Sequence, residues 1–93
     1  MEQLIIEPNQ TWKLAGKLTF ATVAALFQEY RTKIATTPLK ILDLSQVTHT
    51  DSAGLAWLIE LRRQHPNVVF QHLPTQMMTL ATVSGVEDIL VSP

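Results

Sequence analysis

Asp51, Ser52 and Gly54 fall within four consecutive residues of the run Thr48-His49-Thr50-Asp51-Ser52-Ala53-Gly54-Leu55-Ala56-Trp57. A carboxylate beside a hydroxyl suits a helix start, because either oxygen can accept a free amide hydrogen of the first turn. The same residues, with Asp43 upstream, invite a nucleophile reading. A serine nucleophile needs a positioned base and an oxyanion site. His49 is near in sequence, but nothing marks it as that base. The G-x-S-x-G elbow and Walker-type glycines are both missing from the sequence, so a small hydrolase is set aside. His49, His65 and His72 do not have metal-ligand spacing and no cysteine accompanies them, so they read as surface or loop residues. Met77-Met78 reads as a core-and-edge helix pair. No cofactor or metal is called for, and no catalytic residue is assigned.

The elements that must position this junction follow from periodicity. Glu2–Glu7 alternates weakly around Leu4 and Ile6, Pro8-Asn9-Gln10 signals a turn, and Thr11–Ala15 alternates through Trp12 and Leu14. That is an opening β-hairpin, with Gly16 closing its second strand. Val23, Leu26, Phe27, Tyr30 and Ile34 fall on one face of a helix over Thr22–Ala35, with Thr19 or Thr22 as its cap. The helix must stop before Pro38. Leu39–Leu44 is a buried strand, and a helix follows from about Ser52 to Gln64. After Pro66-Asn67, Val68–Gln71 is a strand and Thr75–Ser84 a helix with Met77, Leu80 and Ala81 inward. Gly85 is placed to end that helix, and Ile89-Leu90-Val91 reads as a short last strand. The order β-β-α-β-α-β-α-β defines an α/β class with a mixed sheet.

Asp51 or Ser52 then caps the second helix, and Gly54 permits close backbone approach. Leu55, Leu58 and Ile59 form its stripe against the sheet. Ala53, Ala56, Trp57 and Glu60 occupy the other side, so Trp57 is expected to be at least partly exposed. A strand, a cap and an apolar stripe would explain much of the junction by themselves. They do not explain a small, smooth helix start beside an outward Trp. Small residues leave backbone accessible and Trp is a frequent interface anchor, so the functional reading is a docking surface made of Asp51, Ser52, Ala53, Gly54, Ala56, Trp57 and Glu60.

Composition narrows the partner. Ninety-three residues fit one domain, 1–93, and 46% apolar residues can supply its core. A net charge of −1 from 7 basic and 8 acidic residues argues against nucleic acid, which needs clustered Lys and Arg. Arg62-Arg63, the densest basic spot, reads as the solvated end of a helix. The start MEQLIIEPNQ has no basic n-region or long apolar run, so it does not read as a signal peptide. No run approaches the ~18 residues of a membrane span. The expectation is a cytoplasmic protein, held at a membrane, if at all, by another protein.

The run Ile41-Leu42-Asp43-Leu44-Ser45, then Val47, then Asp51-Ser52-Ala53-Gly54-Leu55 resembles the signature of the STAS domain family, which includes the anti-sigma factor antagonists. The resemblance extends through the opening hairpin, Leu14-Ala15-Gly16, the first helix and the Gly85 turn. It implies a sheet with helices mainly on one face. In the regulatory branch it makes Ser52 the phosphorylation site or its equivalent, with the partner touching the start of the same helix. Within the family the chain is most similar to the MlaB-like branch, the short cytoplasmic STAS subunits of Mla phospholipid-transport ABC complexes, which serve outer-membrane lipid asymmetry. That likeness implies docking on an MlaF-like ATPase subunit and, through it, association with the membrane permease. The alternative is an anti-sigma factor antagonist switched by phosphorylation at Ser52.

Overall fold

The α/β fold is described for residues 2–91 in a computed structural model. β1 (Gln3–Ile6) and β2 (Thr11–Leu18) form the opening hairpin, closed by a hydrogen bond from Glu7 N to Thr11 O at 2.8 Å. α1 (Val23–Ile34) carries the chain to β3 (Ile41–Thr50), which runs parallel to β2. α2 (Ser52–Gln64) returns it to β4 (Val69–Gln71), parallel to β3. α3 (Thr75–Val83) and α4 (Glu87–Val91) follow. The sheet is mixed, with strand order β1-β2-β3-β4.

Register explains which face carries the core. Trp12, Leu42 and Phe70 are cross-strand neighbours, Leu4 pairs with Leu14, and all five are buried. Lys13, Asp43 and Gln71 form the next row, whose side chains point to the opposite face, where Ile5 and Val69 stay exposed. Leu26 and Tyr30 from α1, Leu55, Leu58 and Leu61 from α2, and Met77 and Ala81 from α3 complete the core, and Ile59 packs against its edge. Tyr30 sits between the indoles, 6.1 Å from Trp12 and edge-on to Trp57 at 6.3 Å. Phe27, expected in this core, lies on the rim instead, 36% exposed and stacked on Tyr30.

Four further expectations are corrected. Ile89-Leu90-Val91 is helical, part of α4, and only Leu90 is buried. α3 does end at Gly85 as expected, in a Schellman turn: Gly85 takes φ +74°, its amide bonds Thr82 O, and Val86 N bonds Ala81 O at 2.9 Å. Glu87 and Asp88 then fall in the first turn of α4, where negative charge suits the helix dipole. β3 does not end at Leu44 but continues to Thr50, which delivers Asp51 to the edge of α2. Gly16 lies inside β2 rather than at its end, with φ +99° beside a register irregularity between Gly16 and Lys17. Arg62 is no solvated end-group. Its guanidinium donates to the carbonyls of Ile89 (2.8 Å), Leu90 (3.2 Å), Pro66 (3.1 Å) and Val68, and lies 4.9 Å from the Phe70 ring. One planar fork thus ties α4 and the approach to β4 onto α2.

Candidate functional site

The site lies at the ends of β2 and β3, where both strands hand over to helices. Asp51 is the N-cap of α2, in an extended conformation, and Ser52 is the first helical residue. Asp51 Oδ1 accepts from Ala53 N at 2.9 Å and Gly54 N at 3.3 Å. Its other oxygen, Oδ2, accepts from Phe20 N at 3.1 Å, in the turn between β2 and α1. The Phe20 amide, more than the two helix amides, holds the Asp51 carboxyl below its ordinary pKa. One carboxylate therefore does two structural jobs: it caps α2 and fastens a neighbouring turn to that helix start.

Gly54 has a steric reason. A Cβ built on it would stand 2.4 Å from Leu18 O and 2.7 Å from Thr50 Oγ1. The first turn of α2 lies directly on the ends of β2 and β3, and only a residue without a side chain fits. This close seat fixes which way the start of α2 faces.

The residues proposed from sequence separate into three groups. Ser52 and Ala56 are exposed, one turn apart, and Ala53 is half-buried between them. Glu60 continues the line another turn along, pairing with Arg63 at 3.7 Å and accepting from Gln64 Nε2 at 2.8 Å. Asp51 and Gly54 build the junction from beneath. Trp57 contradicts its expected exposure: it is 6% exposed and packs on Tyr30. The reason is the helical stripe Gly54, Trp57, Leu58, Leu61, spaced i, i+3, i+4, i+7. Because Gly54 carries no apolar side chain, the spacing that places Trp57 inward was hidden. The Trp57 indole N–H is buried and meets no acceptor among the described residues.

Sequence reasoning missed Phe20. It is 82% exposed on the turn that Asp51 holds, beside the start of α2. Its only sequence signal was a Phe between Thr19 and Ala21 that belongs to neither the β2 alternation nor the α1 stripe.

The histidines go three separate ways. His49 is exposed and its Nδ1 lies 3.2 Å from Thr48 Oγ1, not on Ser52. His65 Nε2 is 2.7 Å from Tyr30 Oη, which also bonds Gln64 Oε1 at 2.9 Å. Burial lowers the His65 pKa. His72 Nδ1 lies 3.0 Å from Asp43 Oδ1. Burial acts to raise the Asp43 pKa, but the Ser45 amide and His72 outweigh it and the net shift is downward. Among the described residues no cluster of three or more His, Asp or Glu is placed to hold a metal, and no helix is long and apolar enough to cross a membrane.

This element order, with Asp43-Leu44-Ser45 on β3 and Asp51-Ser52-Ala53-Gly54 at the β3–α2 junction, agrees with a family-level match. A family model described as "Mlab, STAS domain" matches residues 7–92. The chain belongs to the STAS domain family. No curated protein matches it. The geometry accounts directly for Asp51 as the cap of α2 and for Gly54 as its close seat on the strand ends. It leaves Ser52, Ala53, Ala56 and Phe20 as the part of the junction not consumed by folding.

Proposed function

We propose that this protein is the non-catalytic STAS subunit of a phospholipid ABC transporter of the Mla type, docked on the cytoplasmic face through the start of α2. Its partner is the MlaF-like ATPase subunit, which in turn links it to the membrane permease. The observation that carries the reading is the exposed line Ser52–Ala56 on a helix start held rigid from below. Small side chains there allow a partner to approach the helix closely. Asp51 brings no unsatisfied charge to the contact, because three amide hydrogens already occupy its carboxylate. The MlaB-like description of the family match supports the same assignment.

The geometry also bears on the antagonist alternative. Ser52 is exposed and so within reach of a kinase. However, the amides of Ala53 and Gly54, which would receive a phosphate at this helix start, already bond Asp51. A phosphoserine at 52 would stand beside a carboxylate that Phe20 N keeps ionised, so the two negative charges repel. Phosphorylation would therefore oppose docking rather than create it.

Affinity purification of the tagged chain from detergent-solubilised native membranes tests the assignment. Stoichiometric co-elution of an ABC ATPase with its permease is the expected result. Recovery of an anti-sigma factor kinase in their place would favour the alternative and reject the transporter reading.

A further inference from the structure

We propose that Phe20 is the aromatic anchor of this docking surface, inserted into a neutral, apolar pocket of the ATPase subunit, and that Asp51 is the residue that positions it. The inference rests on the transporter reading above and adds the contact that determines the affinity.

The first observation is exposure. Phe20 is 82% exposed, while Trp12, Tyr30 and Trp57 are all buried in the core. The second is that the turn is firmly built. Thr22 Oγ1 accepts from Thr19 N at 3.0 Å and donates to Lys17 O at 2.8 Å, and Val23 N bonds Thr19 O at 2.9 Å. Phe20 N is fastened to Asp51 at 3.1 Å. A ring on a loose loop could fold back onto apolar surface, whereas these bonds hold the turn that presents Phe20. A preorganised aromatic loses little conformational freedom on binding, which favours it as an anchor.

The occupant follows from the surroundings. The residues flanking the ring in sequence, Thr19 and Ala21, and those across the Asp51 clamp, Ser52 and Ala53, are uncharged. The Asp51 carboxylate at the junction is committed to three amides. A ring among these small uncharged residues suits an apolar pocket beside the contact at Ser52.

Asp51→Asn separates positioning from capping. Asn caps a helix about as well as Asp, so its Oδ1 can keep Ala53 N and Gly54 N. Its Nδ2 is a donor and cannot accept from Phe20 N, so the turn is released while α2 stays capped. Phe20→Ala, Asp51→Asn and the double variant are titrated calorimetrically against the purified ATPase subunit, with Ser52→Asp as a second probe of the same face. Melting curves and sedimentation are recorded for each free chain. Phe20→Ala should melt like the unsubstituted chain and bind at least ~30-fold more weakly, the loss expected of a hot-spot residue. Asp51→Asn should weaken binding too, and the double variant should bind no worse than Phe20→Ala alone. Full binding by Phe20→Ala, with binding lost in Ser52→Asp, overturns the anchor and leaves the transporter reading standing. Additive losses in the double variant overturn the positioning role of Asp51. Self-association of the free chain that Phe20→Ala abolishes would assign the ring to a second copy and overturn the proposal. An unsubstituted chain that does not bind the ATPase removes both the anchor and the reading it rests on.

Discussion

Replacing Gly54 with alanine puts a methyl group where α2 meets the strand ends. Its Cβ would stand 2.4 Å from Leu18 O, 2.7 Å from Thr50 Oγ1 and 2.9 Å from Leu18 Cγ. An ordinary carbon–oxygen contact is ~3.3 Å, so the helix start must retreat by roughly 0.9 Å. The nearest obstacle is a backbone carbonyl, which no rotamer change can move. Retreat would loosen the buried Leu55, the next residue, and Leu58, one turn further on. Overpacking of this kind costs ~1–3 kcal/mol, with the upper half expected against backbone. Alanine's better helix propensity returns at most ~1 kcal/mol and less in the first turn. The net loss is ~2 kcal/mol, which for a domain of this size lowers Tm by about 8–16 °C. Thermal and urea unfolding of Gly54→Ala against the unsubstituted chain measures it. An unchanged or raised Tm would refute the close seating of α2, and with it the claim that Gly54 fixes the direction in which the docking face points.

Two other perturbations test the core and its titration. Trp57→Ala should destabilise by ~3–5 kcal/mol as a large core truncation, a large share of the ~5–15 kcal/mol typical of a domain. Trp57→Phe should lose far less, since it also removes a buried N–H without an acceptor; chemical denaturation of the two variants ranks them. Acid should act in two windows. Burial depresses the His65 pKa, so its neutral form belongs to the fold, and stability is complete above the unfolded value of ~6.5 and declines as pH falls below it. The depressed carboxylates Asp43 and Asp51 contribute stability above their unfolded value of ~3.9 that is lost only at lower pH. Melts from about pH 8 to pH 5 should show the first decline, and His65→Gln should flatten it.

Periodicity was a reliable guide where one side-chain type marked one face. The α1, α2 and α3 spans lie within a residue or two of the ranges read from spacing, and Met77 and Ala81 face inward as expected. It failed where a position carries its meaning without an apolar side chain. Gly54 belongs to the buried stripe of α2 but contributes no hydrophobicity, so Trp57 was assigned to the wrong side. Ile89-Leu90-Val91 has strand composition, yet the Gly85 turn and the Arg62 fork direct it into a helix. Arg62 itself looked like a solvated charge because its acceptors are backbone carbonyls, two of them in α4 far along the chain, which spacing cannot reveal. The cap at Asp51 was legible because it depends on local chemistry, and the glycine at 54 signalled a close backbone approach without revealing that Leu18 O on β2 is what it meets. The bond from Phe20 N to Asp51 spans 31 positions and leaves no local trace.

The central claim is that the start of α2 docks on the ATPase through Ser52. Asp51, not Ser52, is the cap, and Ser52 is exposed, so Ser52→Ala and Ser52→Asp should both fold with stability within ~0.5 kcal/mol or so of the original. Buried in an interface without a counter-charge, the new carboxylate of Ser52→Asp would cost ~3–5 kcal/mol. Calorimetric titration of both folded variants against the purified ATPase subunit decides the matter. The account predicts near-native affinity for Ser52→Ala and no measurable binding for Ser52→Asp. Equal, near-native binding by the two would contradict it and leave Asp51-Ser52-Ala53-Gly54 as a capped and closely seated helix start with no part in docking.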